Sequence, residues 1–478
     1  MNFAGLLFLL IAHYLSGKGV LRMLRVELRP LPAFCLSMMS GVPLVSFAPC
    51  FLQLLNIPID TMPVTISVAV ITAFFSIPLV VKFRKPKFHA INWPSWYEVP
   101  FLAVITFLVG LSVWRCFYYP PYARDMLSGP ELLAEYAVRE KTMISSVFTV
   151  DLQSSNNYFK SPYITGLQII YKLLVTPFGQ MWLSVLSISF VVWLYTLMKE
   201  RMHALVAAFL VMFFVCIPEV YAYSYVILYD YSNMVFFFCG FYFLARYLND
   251  NRMNDFVLSA VLFGLATYIR TETLLLVMLV APLVAVYNRR LHLSFKSQAL
   301  RLGMFIIIPA LFYVLCIHVF IRLFIPLPFD VGGQLSNSLG DVSVFFQRFL
   351  DIQTQLIFSV KGVGLFSYFI LFFYALAIAD LLISRKYNRE SLTMLYGIAV
   401  VLIGLPLLGY LLPVVDLGNT TKRGLFKMLP LMLIYMANSG LMKRLCEWIE
   451  TPMAPKPAPE TAPAEKAVQQ DGGGKGKR

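Results

Sequence analysis

Asp125 follows Arg124 at the opening of the longest polar interruption in an otherwise apolar chain, directly after Tyr118, Tyr119, Pro120, Pro121 and Tyr122. A carboxylate placed there can handle a proton, or it can simply belong to a solvated interfacial loop with an aromatic belt. Far downstream, Lys422, Arg423 and Lys427 form a basic trio in which Arg423 and Lys427 share one helical face. Cations in that pattern suit a phosphate or diphosphate, Arg in particular through its bidentate geometry. Arg270 and Glu272 stand two residues apart, so on a regular helix they do not face each other. They read either as an interfacial pair marking a turn or as a cation aimed at a lipid phosphate. Asp230 reads as an N-cap for a helix starting at Tyr231 or as a further site acid, and Glu219 is a weaker case of the same kind.

The elements that must position these residues follow from composition. The apolar fraction is 59% and only 13% of residues are charged, far from the roughly 45 to 50% apolar content of soluble domains. The chain is therefore an all-α polytopic membrane protein, because spans of about 20 apolar residues recur throughout and the short alternating segments of a barrel are missing. The first fifteen residues lack a basic leader and a small-residue cleavage site, which predicts an uncleaved first helix. A net charge of +14 is carried mainly in short gaps between spans, where it orients the protein and meets lipid head groups. This excludes nucleic acid as the expected partner and makes membrane lipids one.

Reading apolar runs against basic gaps predicts about thirteen helices in one self-consistent topology. The gaps Lys18 to Arg29, Lys82 to Lys87, Lys199 to Arg201, Asn249 to Asp255, Asn288 to Arg301, Arg385 to Glu390 and Lys443 onward fall on the cytoplasmic side. The loops 118–162, 218–230, 326–355 and 413–424 fall outside. Residues 1–96 form extra N-terminal helices, 97–441 a core containing the external loop, and 442–478 a disordered cytoplasmic tail, whose Pro, Ala, Lys, Glu and Gly content cannot bury enough surface to fold. As a single helix, Asp255 to Tyr287 would reach about 50 Å and bury Arg270 and Glu272 at mid-bilayer, each charge costing about 2.5 to 3.5 kcal/mol. Two spans joined by an external turn avoid that, with Thr271 as N-cap of the second. Pro130 to Lys141 and Ile164 to Leu174 have helical apolar spacing and predict amphipathic helices on the membrane, walling a cleft and admitting a lipid chain sideways. The seven cysteines show no zinc spacing and the five histidines no cluster, so neither predicts a metal site. Asn419-Thr-Thr421 matches a glycosylation acceptor, a pattern common by chance.

Four stretches resemble the GT-C superfamily of integral-membrane glycosyltransferases, which includes protein O-mannosyltransferases and aminoarabinose transferases. Arg124-Asp125 after a span looks like the first external loop with its acid. Ile227-Leu-Tyr-Asp230-Tyr-Ser-Asn-Met-Val-Phe-Phe-Phe is similar to the acid before a Phe-rich helix. Phe263-Gly-Leu-Ala-Thr-Tyr-Ile-Arg270-Thr-Glu272 looks like a Gly-Leu-Ala turn ending in a base and Glu. Lys422-Arg423-Gly-Leu-Phe-Lys427-Met-Leu-Pro430 resembles the late segment near the donor phosphate. The chain departs from the family in three extra leading spans, a lone acid where many members have a pair, and a short loop from Pro326 to Gln355.

The resemblance implies inverting transfer of a hexosyl or pentosyl group from a polyprenyl-phosphate sugar to an acceptor hydroxyl on a glycan, lipid or protein. Asp125 would be the general base, Arg270, Arg423, Lys427 and Lys422 would hold the donor phosphate, and Asp230, Glu272 and Arg124 would support them. No cofactor is required by this reading; a divalent cation, Mg or Mn, is left open. The expected location is a bacterial inner membrane, part of the cell envelope, with the site on the external face. A transporter or lipid-linked-sugar flippase is the rival from another class; its charges should sit at mid-bilayer on broken helices. A non-catalytic membrane partner protein is a second rival, and an oligosaccharide ligase or polymerase is the nearest neighbour within the enzymes.

Overall fold

Apolar runs become helices because a backbone in hydrocarbon must satisfy its own hydrogen bonds. A computed structural model describes residues 2–81, 94–150, 160–324, 341–384, 387–412 and 417–450; among the described residues there are helices and turns and no strand. Nine of these helices are long and apolar enough to cross a bilayer, or ten when the pair Lys422–Asn438 and Gly440–Glu450, bent by 58°, counts as one span. Three further helices fall on expected spans. Ala204–Cys216 and Met253–Ile269 are apolar but short, and Tyr229–Asp250 mixes its aromatics with Asp230, Ser232 and Asn233. The protein is thus an all-helical integral membrane protein, and the count of about thirteen spans exceeds what length and composition alone support.

The basic gap from Lys82 to Lys87, residues 151–159 of the first large loop, 325–340, 413–416 and the tail from Thr451 lie outside the described residues, as does the side chain of Asn419. The expected tail begins too early at 442, because Gly440–Glu450 is helical. The long segment after Asp255 does divide into two helices, Met253–Ile269 and Thr273–Arg290. The N-cap of the second is Glu272 rather than Thr271, and it makes no side-chain capping bond.

The N-terminal helices Phe3–Met23 and Pro30–Val45 approach closely enough that a Cβ on Gly41 would lie 1.9 Å from the His13 carbonyl oxygen, the small-residue packing that membrane helices use in place of hydrophobic collapse. The segment that follows them, with the helix Ala48–Leu54, also reaches the core. Phe47 stacks on Tyr268 with ring centroids 4.3 Å apart, Gln53 accepts from Thr142 at 2.9 Å and from the Met143 amide at 2.8 Å, and Lys141 pairs with Asp60 at 2.7 Å. The added helices therefore brace the loop that carries Asp125.

That loop folds into Arg124–Leu127, Pro130–Glu140 and, after residues 151–159, Tyr163–Leu174. Pro130–Glu140 is amphipathic as expected. Tyr163–Leu174 is not a surface helix: all residues from Tyr163 to Tyr171 are buried. Its Lys172 runs beneath Pro130–Glu140 and pairs with Glu131 at 2.6 Å and Glu135 at 2.9 Å. This packing makes Tyr163–Leu174 part of the core and leaves Pro130–Glu140 as the outer of the two helices.

Candidate functional site

Asp125 is held by the one-turn helix Arg124–Leu127, anchored through buried Met126 and by the Ser128 hydroxyl donating to the Arg124 carbonyl at 2.9 Å. Arg423 donates from Nη2 to Asp125 Oδ2 at 2.6 Å, and the Asp125 side chain stays 40% exposed. The Arg423 guanidinium also lies over the Tyr223 ring, 5.9 Å from its centroid. One residue earlier, Lys422 reaches Glu219 at 3.4 Å. The short helix Lys422–Gly424 and the 3-10 turn Leu425–Lys427 replace the single regular helix expected here. Arg423 and Lys427 therefore do not repeat on one α-helical face.

Arg270 ends the helix Met253–Ile269 in an extended conformation. That break lets its side chain fold over Glu272, contrary to the expectation from helical spacing, while it also pairs with Asp230. Asp230 is in the first turn of Tyr229–Asp250, whose N-cap is Leu228, so it is not the cap. Its neighbour Asn233 fixes this junction by donating to the Ala266 carbonyl at 2.7 Å and to the Thr273 hydroxyl at 2.9 Å. Asn233 went unnoticed in the sequence, since a single amide in a Phe-rich helix gives no signal until its partners are known.

Lys427 is 2% exposed and lines a small cleft together with Arg270, Glu272, Thr420, Gly424 and the leucines 276, 405 and 408. Lys160 is a second residue missed in the sequence. It keeps an exposed face, with its ammonium 5.9 Å from the Tyr229 ring centroid, and the Tyr229 hydroxyl donates to the Ser161 carbonyl at 2.8 Å. The protein packed around that ammonium, and next the charge of Arg270, hold the Lys160 pKa below the ordinary lysine value. Burial would raise the Glu272 carboxyl, but Arg270 and then Lys427 outweigh it and keep its pKa below the usual one. Arg124, expected as a supporting residue, keeps an exposed side chain outside this set of pairs.

Four cations, Arg270, Arg423, Lys427 and Lys160, thus gather around three carboxylates, Asp125, Asp230 and Glu272. The arrangement leaves an excess of positive charge in a partly dry setting, where charge-assisted bonds to an anion are strong. Among the described residues no group of three or more His, Cys, Asp and Glu could hold a metal ion. The three carboxylates of the cluster are turned toward cations, so they do not fit the divalent cation left open above. At the other ends of the helices lie separate pairs, Arg201 with Glu390 at 2.7 Å and Lys199 with Glu98 at 2.8 Å. Burial pushes Glu98 up, but its bonds from Lys199 and Tyr195 hold its pKa below the ordinary value.

A helical membrane core with four cations gathered around three carboxylates at one end is what these observations define. Residues 167–315 match the family model of dolichyl-phosphate-mannose-protein mannosyltransferases, a family of the GT-C superfamily, so the resemblance seen in the sequence is shown over that stretch. The match includes Asp230, Asn233, Arg270 and Glu272 and supports a membrane glycosyltransferase that uses a polyprenyl-phosphate sugar. Comparison with curated proteins and with solved structures gives no match.

Proposed function

We propose that this protein transfers a sugar from a polyprenyl-phosphate donor to an acceptor hydroxyl, with inversion at the anomeric carbon and at the external face of the membrane. The observation that carries this reading is the 2.6 Å contact between Asp125 and Arg423, residues 298 positions apart in the chain. In the resting protein each occupies the other. A donor phosphate entering among Arg423, Arg270, Lys427 and Lys160 takes over the guanidinium of Arg423 and releases the carboxylate of Asp125. Asp125 then accepts the proton of the acceptor hydroxyl as its oxygen bonds to the anomeric carbon. The bond from that carbon to the phosphate oxygen breaks, and the cations stabilise the charge left on the polyprenyl phosphate. Asp230 and Glu272 hold Arg270 in place, and Glu219 holds Lys422.

Purified protein in liposomes, supplied with radiolabelled polyprenyl-phosphate sugar and a cell-envelope acceptor pool, tests this reading. Label should appear in acceptor, with inverted linkage, when donor and acceptor face the side bearing Asp125. Label crossing the bilayer without transfer would identify a flippase instead.

A further inference from the structure

Six rings from two separate stretches of chain, 114–122 and 221–225, gather around Arg115 and Arg423. Trp114 and Tyr119 meet edge to face with centroids 5.2 Å apart, and Tyr221 and Tyr225 do so at 5.3 Å. Arg115 joins the two groups, its guanidinium 4.9 Å from the Tyr225 centroid and 6.0 Å from that of Tyr119. Tyr122 faces Tyr225 and stands three residues before Asp125, while Tyr223 lies against Arg423. Trp114, Tyr119 and Tyr122 are 45, 49 and 57% exposed. The prolines 120 and 121 between the last two fix the backbone of that segment.

We infer that this aromatic track is the acceptor subsite and that its ligand is a neutral carbohydrate chain, an inference that rests on the transferase reading above. Flat rings with polar edges match a pyranose, which has an apolar C–H face and a rim of hydroxyls. Tyr and Trp offer both kinds of contact at low entropic cost. The cations seated on the rings are engaged, Arg115 by Tyr119 and Tyr225 and Arg423 by Asp125. An extended peptide would pair with exposed strand edges, and the described residues contain no strand. A membrane aromatic belt alone would ring the protein at the interface; it would not join residues 114–122 to 221–225 through an arginine and end beside a half-exposed carboxylate.

The test uses the full-length protein in nanodiscs and follows Trp114 fluorescence, with Trp114→Phe as the blank. The probes are linear hexasaccharides of mannose, glucose and galactose, a serine- and threonine-rich heptapeptide, and an alkyl monoglycoside. At least one hexasaccharide should give a saturable signal, weakened about tenfold or more in Tyr119→Ala and Tyr122→Ala, a loss of roughly 1.4 kcal/mol per tenfold. The same two variants should keep wild-type thermal stability and donor binding. Binding of none of the hexasaccharides, binding unaffected by both tyrosine variants, or displacement of bound hexasaccharide by the peptide or the alkyl glycoside would overturn the inference. Because the signal reports binding and not turnover, a protein that binds hexasaccharide yet never transfers sugar leaves the track standing and removes the transferase reading.

Discussion

Arg423 donates to Asp125 at 2.6 Å, while the residue before it, Lys422, turns to Glu219 on a different helix. Two successive cations on one short turn thereby tie the first large loop to the short helix Pro218–Tyr223 that carries Glu219. The contact holds a candidate base against a candidate phosphate ligand, and each has to leave the other before substrate can be engaged. The position of Asp125 on a one-turn helix, braced by the N-terminal helices, makes that exchange a local side-chain movement.

Asp125→Asn should lower the rate of transfer by about 100- to 10,000-fold, the usual worth of a general base, without weakening donor binding, since it removes a competitor for Arg423. Single-turnover transfer and donor titration on the same preparation separate the two effects. A variant that folds and transfers at the wild-type rate would take Asp125 out of the mechanism.

Asp230→Asn should destabilise the protein by about 3 kcal/mol, the lower end for breaking a buried pair, because Glu272 still faces Arg270. The double variant Asp230→Asn, Arg270→Met should recover part of that loss while failing to bind donor. Thermal unfolding in detergent checks the first statement, and additivity of the two changes would argue against a coupled pair.

Lys160 has a folded pKa below the ordinary 10.5, through burial first and Arg270 next. Between the folded value and 10.5 the native protein has lost this proton and the unfolded chain still holds it. The contribution of Lys160 to stability therefore rises with pH across that window. Donor affinity should move the opposite way, falling as pH rises and starting below the range of an ordinary lysine. Michaelis constants for donor measured from neutral to alkaline pH in wild type and Lys160→Gln test this. The variant should start weaker and lose the Lys160 step.

Gly41→Ala should lower the unfolding temperature, because the new methyl would stand 1.9 Å from the His13 carbonyl oxygen. Forcing the helices apart costs about 1 to 3 kcal/mol. Protease cleavage within the first large loop should also become faster, since that loop is braced by Gln53 and Asp60 in the segment that continues from the helix of Gly41. An unchanged unfolding temperature would mean that the helices separate at no cost.

Much of the framework was legible in the residue order. The break at Arg270 to Glu272 followed from length and charge alone, and the mixture of Phe with Gly-Leu-Ala turns carried the family resemblance that the match over residues 167–315 supports. Other expectations failed for a common reason. The second amphipathic segment, Tyr163–Leu174, turned out buried because another helix, Pro130–Glu140, covers its polar side with Glu131 and Glu135 against Lys172. Apolar spacing shows that a helix has a buried face; it does not show what lies over the polar one.

The sequence by itself determined that this is a helical membrane protein and where its charged turns fall, because transfer into hydrocarbon is a local property summed over about 20 neighbouring residues. Only the tertiary structure decided that Arg270 pairs with both Asp230 and Glu272, that Arg423 rather than Lys422 meets Asp125, and that Lys160 and Asn233 belong beside them. Those partnerships depend on how each helix is rotated and how its end unwinds. Both are set by packing between segments hundreds of residues apart, so no local window of the chain contains them.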